Sequence, residues 1–255
     1  MRFARALLLC AAAAGVMAAA LPAALAASAE EQLRGALDTV AEGRLDAAIE
    51  GLDRLIERYP NFRLAHLVRG DVLLARARPL KVLGDTGHAA PDRLEALRAE
   101  AQARSRAARE GPPPGTVPRH LLALAAAQAH AIVVDATRSR VYVYENDRGE
   151  PRLVADYYGT LGKRGIDKLR EGDQKTPLGI YHGTTMIPGA KLPDLYGWGA
   201  FPINYPNDWD RRAGKTGYGI WLHGVPSENY ARAPRASDGC IALANEEIAE
   251  LAKRV

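Results

Sequence analysis

A proline-rich segment divides the chain into two parts with different hydrophobic periods. Residues 111–118 read GPPPGTVP, and successive prolines cannot continue a helix because they lack a backbone donor. Before this segment, apolar residues recur three and four positions apart, which predicts amphipathic helices. From His130 onward they alternate, which predicts strands. The sequence therefore predicts an α+β fold, with a helical module at 27–110, a linker and lead-in at 111–128, and a mostly-β domain at 129–255.

The region before the linker is expected to contain four helices. They are predicted over 29–42, 45–59, 62–76 and 91–109, with Gly43 and Pro60 as breaks. The stretch from Gly43 to Pro60 resembles one tetratricopeptide repeat. A free-standing array needs about three repeats, so a single copy predicts a helical hairpin or a partial array. This module could pack against the rest of the chain or bind a protein partner, and the sequence leaves both open.

The region after the linker is expected to be rich in short strands. These are predicted over 132–134, 140–144, 153–161, 179–186, 219–223 and 239–243. Residues 120–128 are expected to form a short lead-in helix, and Asn245 is expected to cap a final helix. That helix reaches Val255, where a domain of this kind is expected to continue into another strand, so the chain could be truncated there.

The first 26 residues have the pattern of a secretory signal peptide. Arg2 and Arg5 precede an apolar run from Ala6 to Ala20, and small residues follow at Ala24 and Ala26. This pattern predicts export to the periplasm or cell wall and no stable membrane insertion after cleavage. A membrane anchor is the alternative, although the apolar run is short for a bilayer span.

Export changes the charge and the cysteine count. Without residues 1–26 the chain has 229 residues, a net charge of +2 and one cysteine, Cys240. This charge balance argues against nucleic acid as a partner, and one cysteine excludes a disulfide framework. A lone thiol in an oxidising compartment is either a buried bystander or a nucleophile.

A histidine and this cysteine lie in two short motifs. Trp221-Leu222-His223-Gly224 ends a predicted strand, and Ser237-Asp238-Gly239-Cys240 ends 17 residues after His223. An imidazole at a strand end can take the proton of a neighbouring thiol and make thiolate available near neutral pH. Gly239 would let a carbonyl approach the backbone, where the N–H groups of Gly239 and Cys240 could hold an oxyanion. A structural histidine and a buried, inert cysteine remain the alternative.

These motifs resemble the signature of L,D-transpeptidases with a YkuD-type catalytic domain. The resemblance rests on His223-Gly224, the interval, and Ser237-x-Gly239-Cys240. An upstream stretch is similar too; it contains Gly162-Lys163 and Thr176-Pro177-Leu178-Gly179-Ile180-Tyr181. Together the matches run from about residue 130 to residue 250.

The resemblance implies a β-sandwich-like mixed domain that acts on peptidoglycan stem peptides in cell wall biogenesis and cell shape. Cys240 would attack the carbonyl of the third stem residue and form a thioester, which passes to an amine acceptor. His223 would be the base, oriented by the Gly224 carbonyl, with no metal or organic cofactor. Two alternatives stay open. One is a cysteine hydrolase of the same substrate, an L,D-carboxypeptidase or lipoprotein-releasing amidase. The other is a non-enzymatic wall-binding scaffold.

The sequence departs from the family pattern at two positions. Asp238 replaces the family histidine, and Ala242 replaces the usual arginine. Asp238 is expected to raise the thiol pKa and to bind a cationic group, such as the side-chain amine of diaminopimelate. Arg235 or Arg232 is expected to replace the missing arginine as the contact for a substrate carboxylate.

Several other side chains have two interpretations each. Ser237 is expected either to contact substrate or to brace its loop, and Tyr218 and Trp221 either to line a substrate groove or to pack a core. His182 is expected to be structural. A zinc site is a further alternative, although its candidates include no close ligand pair; they are His182, His223, Asp238 and Cys240. The Gly-, Pro- and Asn-rich stretch at 198–209 is expected to form a lid over the site. Its aromatic residues are Trp198, Phe201, Tyr205 and Trp209.

Overall fold

A computed structural model describes residues 27–85, 89–113 and 115–255. Four helices precede a β-rich region, which confirms the α+β fold class. The predicted signal peptide at 1–26 lies outside the described residues. None of the described helices is both long and apolar enough to cross a membrane.

The helical module consists of four helices close to the predicted bounds. They are α1 Ala29–Ala41, α2 Leu45–Arg58, α3 Arg63–Ala75 and α4 Pro91–Glu110. Ser28 and Glu31 form a reciprocal capping box at the start of α1, and a proline opens α4, where no donor is needed. The apolar stripes of α1, α2 and α3 meet in one core, which includes Leu33, Leu52, Leu55, Leu64 and Val68.

The β region is built from three small sheets. Strands β1 His130–Asp135, β2 Arg140–Asp147 and β3 Glu150–Tyr158 form an antiparallel sheet in that order. The second sheet pairs β4 Leu161–Gly162 in parallel with β8 Arg235–Ser237. The third has the order β5-β6-β7-β9, from Ile187–Pro188, Gly199–Pro202, Trp221–His223 and Ile241–Ala242. Two helices complete the domain, α5 Asp208–Arg212 and α6 Asn245–Arg254.

Two predicted elements are wrong. Residues 179–186 form no strand, only one isolated bridge between Gly183 and Ile203, and the amide of His182 bonds the Asn204 side chain instead of a strand. The lead-in helix at 120–128 is also absent. The Asn146 side chain donates to the carbonyls of Ala125 and Gln128, and the Gln128 N–H bonds the Ala125 carbonyl at 2.8 Å. These contacts fix the segment as a single turn instead of a helix.

The last two predicted strands are shorter than expected, and the predicted cap of the final helix is wrong. The structure keeps only Trp221–His223 and Ile241–Ala242 as strands. Ala244 occupies the cap position of α6, and Asn245 is the first helical residue. The Asn245 side chain bonds the backbone of Trp198 and Val225 instead.

The helical module packs against the β region through a buried charge cluster. The guanidinium of Arg104, on α4, bonds Glu30 and, at 2.9 Å, Glu100. It also lies 4.1 Å from the ring centre of Tyr158 on β3. Burial opposes the charged form, but Glu30 and Glu100 together raise the pKa of Arg104 above its ordinary value. One guanidinium therefore joins α1, α4 and the first sheet.

Replacing Arg104 with methionine is expected to destabilise the fold by about 3–5 kcal/mol, because the buried Glu100 loses its counter-charge and Glu30 is left with the 3.5 Å contact to Arg140. Urea unfolding followed by circular dichroism measures this. The matched control is Arg93→Met on the same helix, where the side chain is exposed and a change within about 0.5 kcal/mol is expected. Equal effects of the two substitutions would contradict the interpretation.

Candidate active site

Parallel pairing of β7 and β9 places the predicted histidine and cysteine on the same face of a sheet. Leu222 pairs with Ile241 and His223 with Ala242. Cys240 directly precedes β9. When this register is continued by one position, Cys240 lies opposite Trp221. Residues two apart on a strand face the same side, so the imidazole of His223 and the thiol of Cys240 project from the same face of neighbouring chain segments.

The imidazole of His223 is buried and held in one tautomer. Its Nδ1 lies 2.5 Å from the carbonyl oxygen of Gly224. A carbonyl oxygen only accepts hydrogen bonds, so in the neutral ring Nδ1 carries the proton and Nε2 carries the lone pair. Burial lowers the pKa of His223 to about 4; the Gly224 hydrogen bond opposes this effect, and the positive charge of Arg232 adds to it. The ring is therefore neutral at pH 7, with Nε2 able to accept a proton.

The thiol of Cys240 is half-buried and protonated at neutral pH. Its Sγ donates to the carbonyl of Gly219 at 3.4 Å. Burial raises the pKa of the Cys240 thiol, a backbone hydrogen bond from Trp221 lowers it, and the charge of Asp238 raises it again. The sequence predicted thiolate near pH 7, whereas the burial and charges of this site favour a neutral thiol beside a neutral imidazole.

Two glycines allow close backbone contacts at the site. Gly239 has φ +129°, and a Cβ there would lie 2.8 Å from the Lys175 carbonyl oxygen; other residues adopt this conformation only with strain. At Gly224 a Cβ would lie 2.2 Å from Oδ1 of Asn245. Both positions therefore need glycine to keep the reactive segments in place.

Asn245 ties the chain that follows His223 to helix α6. Its Oδ1 accepts from the backbone N–H groups of Trp198 at 2.9 Å and Val225 at 3.2 Å. Its Nδ2 donates to the Val225 carbonyl at 2.9 Å. Sequence reasoning missed this role because the partners lie 20 and 47 residues away, and a helix-start asparagine reads as a local cap.

Ser237 is buried and bonds within its own turn. Its hydroxyl donates to the Cys240 carbonyl at 2.6 Å and accepts from the Gly239 N–H at 3.1 Å. This geometry fits the bracing interpretation of Ser237. It also engages one of the two backbone donors that the sequence suggested for an oxyanion.

Asp238 points to solvent, with 73% of its side chain exposed. The same carboxylate oxygen accepts from Lys163 Nζ at 3.0 Å and from Gln174 Nε2 at 2.9 Å. The hydrogen bond from Lys163 is the main reason that the pKa of Asp238 is lowered. An acid and a base therefore stand together at the rim of the site.

The two arginines expected to contact a substrate carboxylate lie in different surroundings. The charge of Arg232 acts on His223, Asp238 and Cys240, and lowers the pKa of each. Arg235 is exposed on β8, where its guanidinium lies beside Gly165. Arg232 is thus the arginine whose charge reaches the reactive pair.

One aromatic ring that the sequence did not mark contacts the histidine edge-on. Tyr196 ends a 3-10 turn at Asp194–Tyr196. Its ring centre lies 5.1 Å from that of His223, edge-on, and 4.7 Å from that of Trp221. Trp221 is half-buried in this stack, whereas Tyr218 is 75% exposed. No motif marks Tyr196 in the sequence, because its position depends on the fold of the preceding loop.

The stretch that was expected to form a lid is largely part of the fold. Phe201 lies in β6, and Tyr205 is buried in the domain core. Trp198 is exposed, and Trp209 is 77% exposed at an open groove that also contains His182. The histidine expected to be structural is thus a surface residue. The zinc candidates form no ligand set: in the part of the chain that the structure describes, no three His, Cys, Asp or Glu side chains could hold a metal.

Comparison with known proteins identifies the domain that carries this site. Residues 129–255 match the family model of the YkuD L,D-transpeptidase catalytic domain. This half of the chain therefore belongs to the YkuD family, as the resemblance predicted. A search of curated proteins gave no match.

Two solved proteins illustrate the similarity. Bd1075 of Bdellovibrio bacteriovorus is 35% identical over 50% of this chain and 44% of its own, with a TM-score of 0.42. The helical cell shape determining protein Pgp2 of Campylobacter jejuni is 32% identical over 52% of this chain and 46% of its own, with a TM-score of 0.47. The chain spans less than half the length of either solved chain in these alignments.

The reactivity of Cys240 is expected to depend on pH as a single ionisation above the ordinary thiol pKa, because burial and Asp238 both disfavour thiolate. Alkylation by iodoacetamide, followed by mass spectrometry between pH 5 and 10, measures this. Asp238→Asn is expected to move the midpoint to lower pH, since it removes a negative charge. A rate that is already at its plateau below pH 7 would contradict the neutral pair.

Proposed function

We propose that this protein is a peptidoglycan L,D-transpeptidase that acts through a cysteine thioester on stem peptides. The observation that carries the proposal is the neutral His223, fixed through Nδ1 by Gly224, on the sheet face that also bears Cys240. Membership of residues 129–255 in the YkuD family supports the substrate class. Parts in cell wall biogenesis and cell shape, and a location in the periplasm or cell wall, belong to the same proposal.

In the first half-reaction His223 acts as a general base. Nε2 takes the thiol proton as Sγ of Cys240 bonds the carbonyl carbon of the third stem residue. When the resulting oxyanion collapses, the bond to the terminal D-alanine breaks, and the imidazolium returns the proton to the departing amine. The acyl group is left as a thioester on Cys240.

In the second half-reaction an acceptor amine bonds the acyl carbon and gives a proton to His223. Sγ departs from the collapsing adduct and recovers that proton, so the enzyme returns to its starting state. The acceptor would be a second diaminopimelate, a free D-amino acid or a lipoprotein lysine. The Gly224 carbonyl stabilises the imidazolium that forms in each step, because it accepts the Nδ1 proton.

The backbone N–H of Cys240 is proposed as an oxyanion donor. Of the two donors that the sequence suggested, the Gly239 N–H is bonded to Ser237. Ser237 would then act by fixing the turn at Gly239 rather than by contacting substrate. Tyr218, which is exposed, and Trp221 are proposed as walls of the peptide groove.

The rim charges suggest how the side chain of diaminopimelate is recognised. That side chain ends in an ammonium and a carboxylate, and the Asp238–Lys163 pair offers a partner of opposite sign to each. Arg232 is proposed for a carboxylate on the main chain of the stem peptide, in place of the arginine that Ala242 replaces. Arg235, beside Gly165, is the weaker candidate for this contact.

Incubation of the purified protein, lacking residues 1–26, with sacculi is expected to yield new 3→3 dimers or D-amino-acid exchange products. Muropeptide separation and mass spectrometry detect both. Cys240→Ala is expected to abolish the products, and His223→Ala to lower the rate by about 10²–10⁴-fold. Shortened or released peptides instead of transfer products would indicate the hydrolase.

Acylation of the Cys240 thiol distinguishes the transpeptidase and the hydrolase from a non-enzymatic scaffold. A carbapenem is expected to add its mass to the protein but not to Cys240→Ala. Unchanged sacculi together with absence of this adduct would overturn the proposed function.

Asp238→Asn is expected to reduce the preference for diaminopimelate over a side-chain N-acetylated analogue by roughly three- to tenfold, since the ammonium loses its partner. The ratio of kcat/KM for the two stem peptides measures this. The ratio cancels any effect of the substitution on thiol reactivity. An unchanged ratio would refute the assignment of Asp238.

A further inference from the structure

The segment between the two reactive residues is supported from outside the catalytic domain. Apart from β8, the chain between His223 and Cys240 has no regular structure. In its middle, Tyr230 is only 5% exposed although it belongs to a loop. Its ring centre lies 4.2 Å from that of Phe62 and 5.1 Å from that of Tyr59. Both partners come from the helical module, at the turn between α2 and α3.

Polar contacts join the same turn to the same loop. We call residues Tyr59–Phe62 the α2–α3 corner. The Asn61 side chain donates to the Ser227 carbonyl at 3.1 Å, and the Asn61 carbonyl accepts from the Tyr230 N–H at 3.4 Å. The corner has its own internal bond, from the Phe62 N–H to the Tyr59 carbonyl at 3.0 Å. A rigid turn thus holds the loop by backbone, amide and ring contacts.

The far end of the loop is held by a second set of contacts. The Arg232 carbonyl accepts from the hydroxyls of Tyr158 at 2.9 Å and Thr160 at 3.1 Å. The Tyr158 ring in turn lies under the guanidinium of Arg104 from α4. The guanidinium of Arg232 donates to the Ala236 carbonyl at 2.6 Å, just before the Ser237–Cys240 turn. The helical module therefore contacts the loop directly at Tyr230 and through Tyr158 at Arg232.

We infer that the helical module is a positioning element of the reactive site: the α2–α3 corner fixes the loop at Ser227 and Tyr230 and thereby helps to hold Arg232 on the Ala236 carbonyl, next to the Ser237–Cys240 turn. Without the corner contacts the loop would sample more conformations. The remaining contacts of Arg232, with Tyr158, Thr160 and Ala236, would then hold its guanidinium less firmly at the turn. Three charged side chains act on the Cys240 thiol: Asp238 opposes thiolate, whereas Lys168 and, more weakly, Arg232 favour it. The hydroxyl of Tyr196 also senses the thiol. Loss of the corner is therefore expected to alter the chemistry of a thiol that the corner does not touch.

The activity part of this inference rests on the proposed function, but its main readout does not. Alkylation of Cys240 by iodoacetamide reports the ionisation of the thiol whether or not the protein acts on peptidoglycan. A change in the alkylation profile with inactive sacculi assays would support positioning and count against transpeptidation. An unchanged profile with active sacculi assays would do the reverse.

The test uses variants of the full chain lacking residues 1–26. Asn61→Ala removes the amide donor from a partly exposed position, and Tyr230→Ala removes the ring. Both are expected to raise the midpoint of Cys240 alkylation, by a few tenths of a pH unit for Tyr230→Ala, because Arg232 then lies farther from the thiol on average while Lys168 still favours thiolate. Tyr230→Phe keeps the ring contacts with Tyr59 and Phe62 and is expected to restore the wild-type profile. Gln102→Ala, exposed on α4, is the control for a generic change in the module.

A double-variant cycle identifies the route of the effect. Arg232→Gln is expected to raise the same midpoint, and Tyr230→Ala is expected to add nothing in the Arg232→Gln background. Additive shifts, or profiles of Asn61→Ala and Tyr230→Ala that equal the wild type in proteins with native circular dichroism, would overturn the inference. If Tyr230→Ala does not fold, Asn61→Asp supplies the second variant, since it sets a carboxylate against the Ser227 carbonyl without emptying the core.

Discussion

The guanidinium of Arg104 is a positive charge that the fold removes from water and places among carboxylates and aromatic rings. Such a charge is stable only when its partners hold it from several sides, and here they come from α1, α4 and β3. The nearby Glu247 on α6 belongs to the same buried region, where burial raises its pKa to about 7. The helical module and the β region therefore share an electrostatic interface as well as an apolar one, and the two parts pack as one unit.

Burial also determines the charge state of His223 and Cys240, but there it favours the neutral forms. At the interface, burial is offset by paired charges, so Arg104 stays ionised. At the sheet face, burial acts on His223 and Cys240 without a strong counter-charge, so both groups are neutral. In the proposed mechanism the pair becomes charged only when a carbonyl is in place to be attacked. The Gly224 carbonyl, which accepts from Nδ1, would then stabilise the imidazolium.

Local patterns in the sequence predicted the parts of this structure that depend on local physics. Apolar spacing and helix-forming composition together located all four helices of the module, and Trp221-Leu222-His223-Gly224 located the strand that ends at the histidine. The predicted strand at 179–186 is absent because side chains there bond backbone groups that a neighbouring strand would otherwise bond; the Asn204 side chain, for example, accepts from the His182 N–H. The roles of Asn245, Tyr196 and the α2–α3 corner could not be predicted from the sequence, for one shared reason. Their roles arise from contacts across long stretches of chain, and nothing in the neighbouring residues distinguishes them from an ordinary cap, a loop tyrosine and a helix turn.

The two departures from the family motif have a common physical consequence. With Asp238 in place of histidine and Ala242 in place of arginine, the segment from Ser237 to Ala242 has two fewer groups that can carry a positive charge and one more negative charge. Lys163 offsets part of that charge by direct pairing, and Arg232 offsets part of it from the loop. Positive charge is thus supplied from elements outside the motif, and its placement depends on how those elements are held. A site of this kind needs a rigid support for the loop that carries Arg232, and the packing of Tyr230 between Tyr59 and Phe62 provides one.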